Sequence, residues 1–308
     1  MNLFLLFTLG AIWGTSFLFI KIVVSEVTPL VLVAGRLGLA AVLMWGLLIL
    51  RRAPLPRGRR LWTTYAVIGL LNGALPFTLI SWGEQFIPSS WAALLQSTTP
   101  LLTILLAHLL TDDDRINGRK AIGVALGFAG VGLLMLPELR RGASASIWGM
   151  VAIVGSSGSY ALASVYAHRR LHGQDPMASA AGQFTMGALY ILPLAMALEN
   201  PLAIAPSGRA VASWITLAVL GTVVAYVIYF TLLERTGATF TTMVTYIVPV
   251  NGLILGSLIL DEPLSPNILI SLALVLSGVL LVRREQSSRT SFDKASLDKS
   301  PPDPQPAE

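Results

Sequence analysis

Few residues of this 308-residue chain can do chemistry, and their placement narrows what that chemistry is. The chain has no cysteine, so neither a disulfide framework nor a thiolate metal site can form. Gly155-Ser156-Ser157-Gly158 reads G-x-S-G, a spacing that can present a serine nucleophile. Such a serine needs a base within hydrogen-bond reach. The three histidines, His108, His168 and His172, all fall at the ends of apolar runs. The motif therefore reads first as a small-residue packing face, with an intramembrane serine hydrolase as the alternative. No H-E-x-x-H metal motif and no Walker loop is present. Neither a cofactor nor a metal is expected.

The remaining polar residues fall in stripes three or four apart, a spacing that gathers them on one helix face. They are Trp13 with Ser16; Tyr65, Gly69, Asn72 and Pro76; Gln96, Thr99 and Thr103 beside Pro100; Ser156, Tyr160 and Ser164; Gln183, Met186 and Tyr190; Thr222, Tyr226 and Tyr229; and Thr242, Thr245, Tyr246 and Pro249. Hydroxyl residues in apolar helices commonly bond their own backbone. Gln96, Asn72, Tyr226 and Tyr246 are the residues whose chemistry best suits binding a solute. Pro76, Pro100 and Pro249 each remove a backbone donor and free a carbonyl. Such a carbonyl can bind solute, or the proline can simply kink the helix.

Arg36 is the charge placed deepest in an apolar run. A guanidinium can hold a carboxylate through paired hydrogen bonds. It can equally snorkel to a headgroup or pair with Glu84 or Glu26. Lys21 lies closer to a run end and is expected to snorkel. His108, His168 and Glu234 are expected at the interface. No acid stands near the centre of any apolar run, which favours a facilitator over a proton-driven carrier and leaves coupling through Glu84 or a histidine as the alternative.

The elements that must position these residues are membrane helices. The chain is 54% hydrophobic and only 12% charged, against about 25% charged residues in soluble chains. Its net charge of +5 does not point to nucleic acid, because the arginines sit in short loops between apolar runs. A span needs about 20 apolar residues. Ten segments meet that length, near 3–24, 30–50, 62–84, 89–110, 118–136, 147–168, 177–198, 211–233, 239–260 and 266–283. Each should be helical, because irregular backbone cannot face lipid. The first run has no basic residues before it and reads as a retained span. The stretch 285–308 is Ser/Pro/Asp/Lys-rich and reads as a disordered cytoplasmic tail. With the N-terminus inside, sixteen Lys and Arg fall in inner segments and three in outer ones. Both termini are therefore expected in the cytoplasm.

The chain also repeats itself. Trp13, Thr28-Pro29 and Gly35 match Tyr160, Asp175-Pro176 and Gly182 at a shift of 147. Trp62, Gly69 and Phe77 match Trp214, Gly221 and Tyr229 at 152, and Pro100 matches Pro249 at 149. Two units follow, 1–142 and 143–284, each of five spans. Five is odd, so the second enters the membrane upside down, an arrangement typical of secondary transporters. Gly123, Gly127 and Gly130, with Ser271 and Gly278, give spans 5 and 10 small faces suited to scaffold packing or to contact between copies.

The opening A-I-W-G-T-S-F, Gly35-Arg36, the prolines at 100 and 249, and L-D-E-P-L-S from Leu260 to Ser265 resemble the drug/metabolite transporter superfamily, most closely its EamA branch. The resemblance covers about residues 3–283. It implies a basket-like bundle around a central cavity and outward transport of amino acids or similar small metabolites. The first unit departs from the pattern, with T-D-D-D-R-I where the second has E-P-L. A channel is a further alternative, but channels show rings of charge or carbonyl filters.

Overall fold

The computed structural model describes residues 1–110 and 116–297. The acidic run of the first unit, 111–115, and the end of the tail, 298–308, lie outside the described residues. Every regular element among the described residues is helical. Eight helices are long and apolar enough to cross a membrane: α1 (Asn2–Val24), α2 (Pro29–Leu50), α3 (Arg59–Gly83), α4 (Ser89–Leu110), α5 (Gly118–Arg141), α6 (Ser144–Arg170), α7 (Pro176–Leu198) and α8 (Gly208–Gly237). Two shorter apolar helices follow, α9 (Val244–Leu260) and Pro266–Val282, the apolar part of α10 (Pro266–Leu297). The helix thus runs on into the segment expected to be disordered. No Gly or Pro occurs between Val279 and Ser300, so no backbone breaker stops it at the membrane edge.

Local chemistry explains where the helices start and bend. Pro29 and Pro176 stand at the first turns of α2 and α7, where the missing N–H costs nothing. The Asp175 side chain caps α7 by accepting from the Ala178 N–H at 2.7 Å. α3 and α8 each contain a π turn, Leu70–Ala74 directly after Gly69 and Val219–Val224 around Gly221, the two glycines that match between the units. A π turn inserts one residue and re-aims the face that follows. In α3 it precedes Pro76, and the Leu71 carbonyl accepts from Ser159 Oγ of α6 at 2.7 Å. In α8, Thr222 Oγ1 donates to the Leu217 carbonyl at 3.2 Å. α4 breaks at Ser97–Thr98, just before Pro100. Pro100 has no N–H for the Gln96 carbonyl, which accepts instead from Thr99 Oγ1 at 2.8 Å and Ser157 Oγ at 3.4 Å.

The helix pairs form a reciprocal set. α1 packs on α9 and α4 on α6; α1 packs on α8 and α3 on α6; α2 and α7 pack together, as do α5 and α10. Gly35 of α2 lies directly under the Trp214 ring of α8, and Gly182 of α7 directly under the Tyr65 ring of α3. The glycine faces of spans 5 and 10 meet within the chain. A Cβ on Gly123 would sit 2.7 Å from the Gly278 carbonyl oxygen, and one on Gly130 would sit 2.8 Å from that of Ser271.

Candidate functional site

Three polar groups join helices that lie far apart in sequence. The first is built on Arg36 of α2, only 5% exposed. Its Nε donates to Thr222 Oγ1 on the π turn of α8 at 3.0 Å. Its guanidinium carbon lies 3.8 Å from the centroid of Phe77 on α3. Arg36 therefore does not snorkel. Glu26 is not its partner either, since that carboxylate accepts from the Ser207 N–H at 2.6 Å and hydroxyl at 2.7 Å. Those bonds hold the Glu26 carboxyl below the usual carboxylate range.

The second group is built on Asn72, which the π turn of α3 presents. Its Nδ2 donates to Gln183 Oε1 of α7 at 2.8 Å and to Tyr226 OH of α8 at 3.0 Å. Around Tyr226 stands a wall of rings. Trp13, Phe184, Tyr229 and Phe230 have centroids 6.4, 5.0, 6.4 and 5.7 Å from it. Trp13 also meets Tyr229 at 5.7 Å, and Tyr160 meets Phe77 edge-on at 6.5 Å. These offset and edge-to-face contacts are the favourable ring geometries.

The third group is built on Gln96, beside the break in α4. Its Nε2 donates to Thr99 Oγ1 at 3.0 Å and Ser157 Oγ at 3.1 Å, and its Oε1 accepts from Ser156 Oγ at 2.8 Å. Both serines of the G-x-S-G motif are thus engaged with an amide. The three histidines are exposed at helix ends, as their positions in the sequence suggested.

Other expected site residues make contacts within the bundle. Ser16 donates to the Ile12 carbonyl at 3.0 Å and packs on Gly221, while Thr245 donates to the Thr242 carbonyl at 2.8 Å. Pro249 is buried inside α9, Pro76 is buried after the π turn, and Tyr246 packs half-buried on the core. Tyr190 and Ser164, the far members of two stripes, are exposed. Lys21 does not snorkel: its Nζ donates to the carbonyls of Glu84 and, at 2.9 Å, Ile87. Sequence reading missed Phe184, which looks like ordinary core, and Asn251, whose Nδ2 donates to the Ala11 carbonyl at 2.8 Å.

Burial varies along this region. Toward the end where α1 finishes, Ile20, Val23, Ile80, Ser81, Leu94, Leu95, Ile153 and Leu253 are all buried. Toward the other end, Trp13, Thr103, Tyr226, Tyr229 and Tyr246 are half-buried.

Comparison with known proteins bears on family and fold. The model of the EamA-like transporter family matches twice, over residues 1–136 and 147–284. The uncharacterized inner membrane transporter YedA of Escherichia coli K12 is 31% identical over 280 residues, covering 90% of this chain and 89% of its own. Protein PecM of Dickeya dadantii is 26% identical over 275 residues, covering 88% and 89%. A solved crystal structure of 19% identity superposes with a TM-score of 0.66 over 91% of this chain and 96% of its own, which supports the fold. With both halves matched by one family model, and a relative above 30% identity over nearly its whole length, the chain belongs to the EamA-like transporter family and is a multi-pass membrane transporter.

Proposed function

We propose that the protein is a secondary carrier of the inner membrane that moves small metabolites outward, amino acids or related compounds among them, by alternating access through a central cavity. The observation that carries this reading is the position of Arg36. It is buried, bonded to Thr222 and stacked on Phe77, and so joins α2 and α3 of one half to α8 of the other. A guanidinium beside hydroxyl, amide and ring groups suits a solute with a carboxylate and an apolar part. Most donors of a guanidinium remain after one Nε bond, and these are available for a carboxylate.

Ten spans in two inverted halves are supported by the double family match, the π turns by Gly69 and Gly221, and the reciprocal contacts Gly35–Trp214 and Gly182–Tyr65. The excess of Lys and Arg supports cytoplasmic termini. In that orientation the end where α1 finishes faces outward and the half-buried rings lie toward the cytoplasmic side. The α5–α10 glycines being used within the chain, any contact between copies would use the outer faces of that pair.

The test is a counterflow screen of amino acids and related metabolites with purified protein in liposomes. Saturable exchange without chemical change of the solute supports the carrier. Single-channel currents, or consumption of the solute, would count against it.

A further inference from the structure

The buried end of the bundle holds an acid whose carboxyl oxygens accept no hydrogen bond among the described residues. This acid, Glu84, follows the last residue of α3 and is 0% exposed. Its neighbours are bonded elsewhere. Lys21 of α1 donates to the backbone carbonyls of Glu84 and Ile87, which secures the turn between α3 and α4 but leaves the carboxyl alone. Arg36 of α2 is bonded to Thr222 and stacked on Phe77. Glu262, ahead of α10, caps the start of α4: its Oε1 accepts from the Ser89 N–H at 2.7 Å and hydroxyl at 2.9 Å, and its Oε2 from the Ser90 N–H at 2.9 Å. Ser81, three residues before Glu84 on the same face, also buries a hydroxyl with no hydrogen-bond partner among the described residues.

Lys21, Arg36 and Glu262 are the charged groups that act on Glu84 from the elements around it. α6 packs along α3 but carries its only titratable groups other than tyrosines, His168, Arg169 and Arg170, at its far end. An ionised carboxylate with neither water nor hydrogen bonds is expensive to hold, whereas the neutral acid is not. Opening this end would admit water, which solvates the anion. We propose that Glu84 is a proton-binding site: it carries a proton while this end is shut and releases it to water as the end opens. The carboxylic O–H bond breaks, the electron pair stays on Glu84, and one proton leaves per opening. Depth in this bundle is set by packing and not by position along a span, so the acid missing from the span centres is supplied from a span end. The consequence that transport is proton-linked rests on the carrier reading above; protonation of Glu84 and its tie to opening do not.

Both can be measured without a transported solute. The full chain has no cysteine, so Ser81→Cys provides a single thiol on the face of Glu84. Its rate of modification by a small methanethiosulfonate in liposomes reports opening. Dividing by the rate in Ser81→Cys/Glu84→Gln cancels the thiol's own pH dependence. The ratio is expected to rise about tenfold per pH unit before it levels off, the slope of one proton per opening. Infrared difference spectra should contain a protonated carboxyl C=O band that outlasts the ordinary carboxylate titration and is absent in Glu84→Gln. A ratio flat with pH, or identical infrared titrations for the two proteins, overturns the proposal. Should Glu84→Gln not be recovered folded, Lys21→Met serves: with a neighbouring cation gone, the band should persist to higher pH, and an unmoved titration also overturns it. Failure of the counterflow screen alongside positive results here would remove the carrier reading and leave the proton site standing.

Discussion

Arg36 and Phe77 meet face to cation, with 3.8 Å between the guanidinium carbon and the ring centroid, although they come from different helices. A desolvated pair of this kind contributes about 2 kcal/mol or more. Lysine keeps the charge but loses the planar fork that can face the ring, bond Thr222 and grip a carboxylate together. Arg36→Lys and Arg36→Gln are both expected to lower counterflow about tenfold or more, with folded protein still in the membrane. Near-normal uptake by Arg36→Lys at limiting solute would remove Arg36 from the site.

Gln96 is expected to matter for transport and little for folding. If its side chain is cut to alanine, Ser156 keeps its bond to the Ile153 carbonyl and Thr99 keeps its bond to the Gln96 carbonyl. Few polar groups are stranded, so the melting temperature should hold. Counterflow should fall about tenfold, the scale of one lost hydrogen bond. A large drop in melting temperature with normal kinetics would show a scaffold role instead.

The glycines of α5 and α10 should behave in the opposite way. A side chain at Gly278 would run into the Gly127 backbone nitrogen, 2.7 Å from its Cβ. Gly278→Leu and Gly127→Leu are expected to cost about 3 kcal/mol or more by overpacking and to lower yield. Gly38→Ala is the control, since nothing lies within 4 Å of its Cβ position. Equal melting temperatures for Gly38→Ala and Gly278→Leu would contradict the packing.

Acid should loosen the contact between Glu26 and Ser207. The carboxyl is held below its usual range by the Ser207 N–H and hydroxyl. Its contribution is therefore present above the usual carboxylate pKa and lost as pH falls through the lowered one. Wild-type protein should melt above Glu26→Gln at neutral pH, and the two should converge below about pH 4. Parallel curves across that range would show that the contact adds nothing.

Topology can be read from Gly58→Cys and Ser144→Cys, both at exposed positions. An impermeant maleimide on intact cells should label Ser144→Cys and spare Gly58→Cys. The reverse pattern would invert the molecule and with it the assignment of the buried end.

Sequence by itself determined the solvent, the helices and the list of groups able to bind a solute. Lipid imposes a length on each span and forbids unpaired backbone, so apolar run length reports the helices directly. The stripes through Asn72, Gln96 and Tyr226 followed from helical spacing, and Pro100, read as kinking its helix or freeing a carbonyl, stands just after the break in α4, whereas the two π turns had no signal in the sequence reading. What stripes cannot report is how far each helix is rotated and how deep it sits, because these depend on the partner's surface. Only the tertiary structure decided that Arg36 bonds a threonine 186 residues away, that Lys21 turns inward to two carbonyls, and that the Gly-x-Ser-Gly serines face a glutamine. Sequence reading placed Glu84 at a span end, where an acid normally reaches water. Packing of α1, α3 and α4, with Glu262 over the start of α4, buries it instead, and burial rather than position along the chain sets its chemistry.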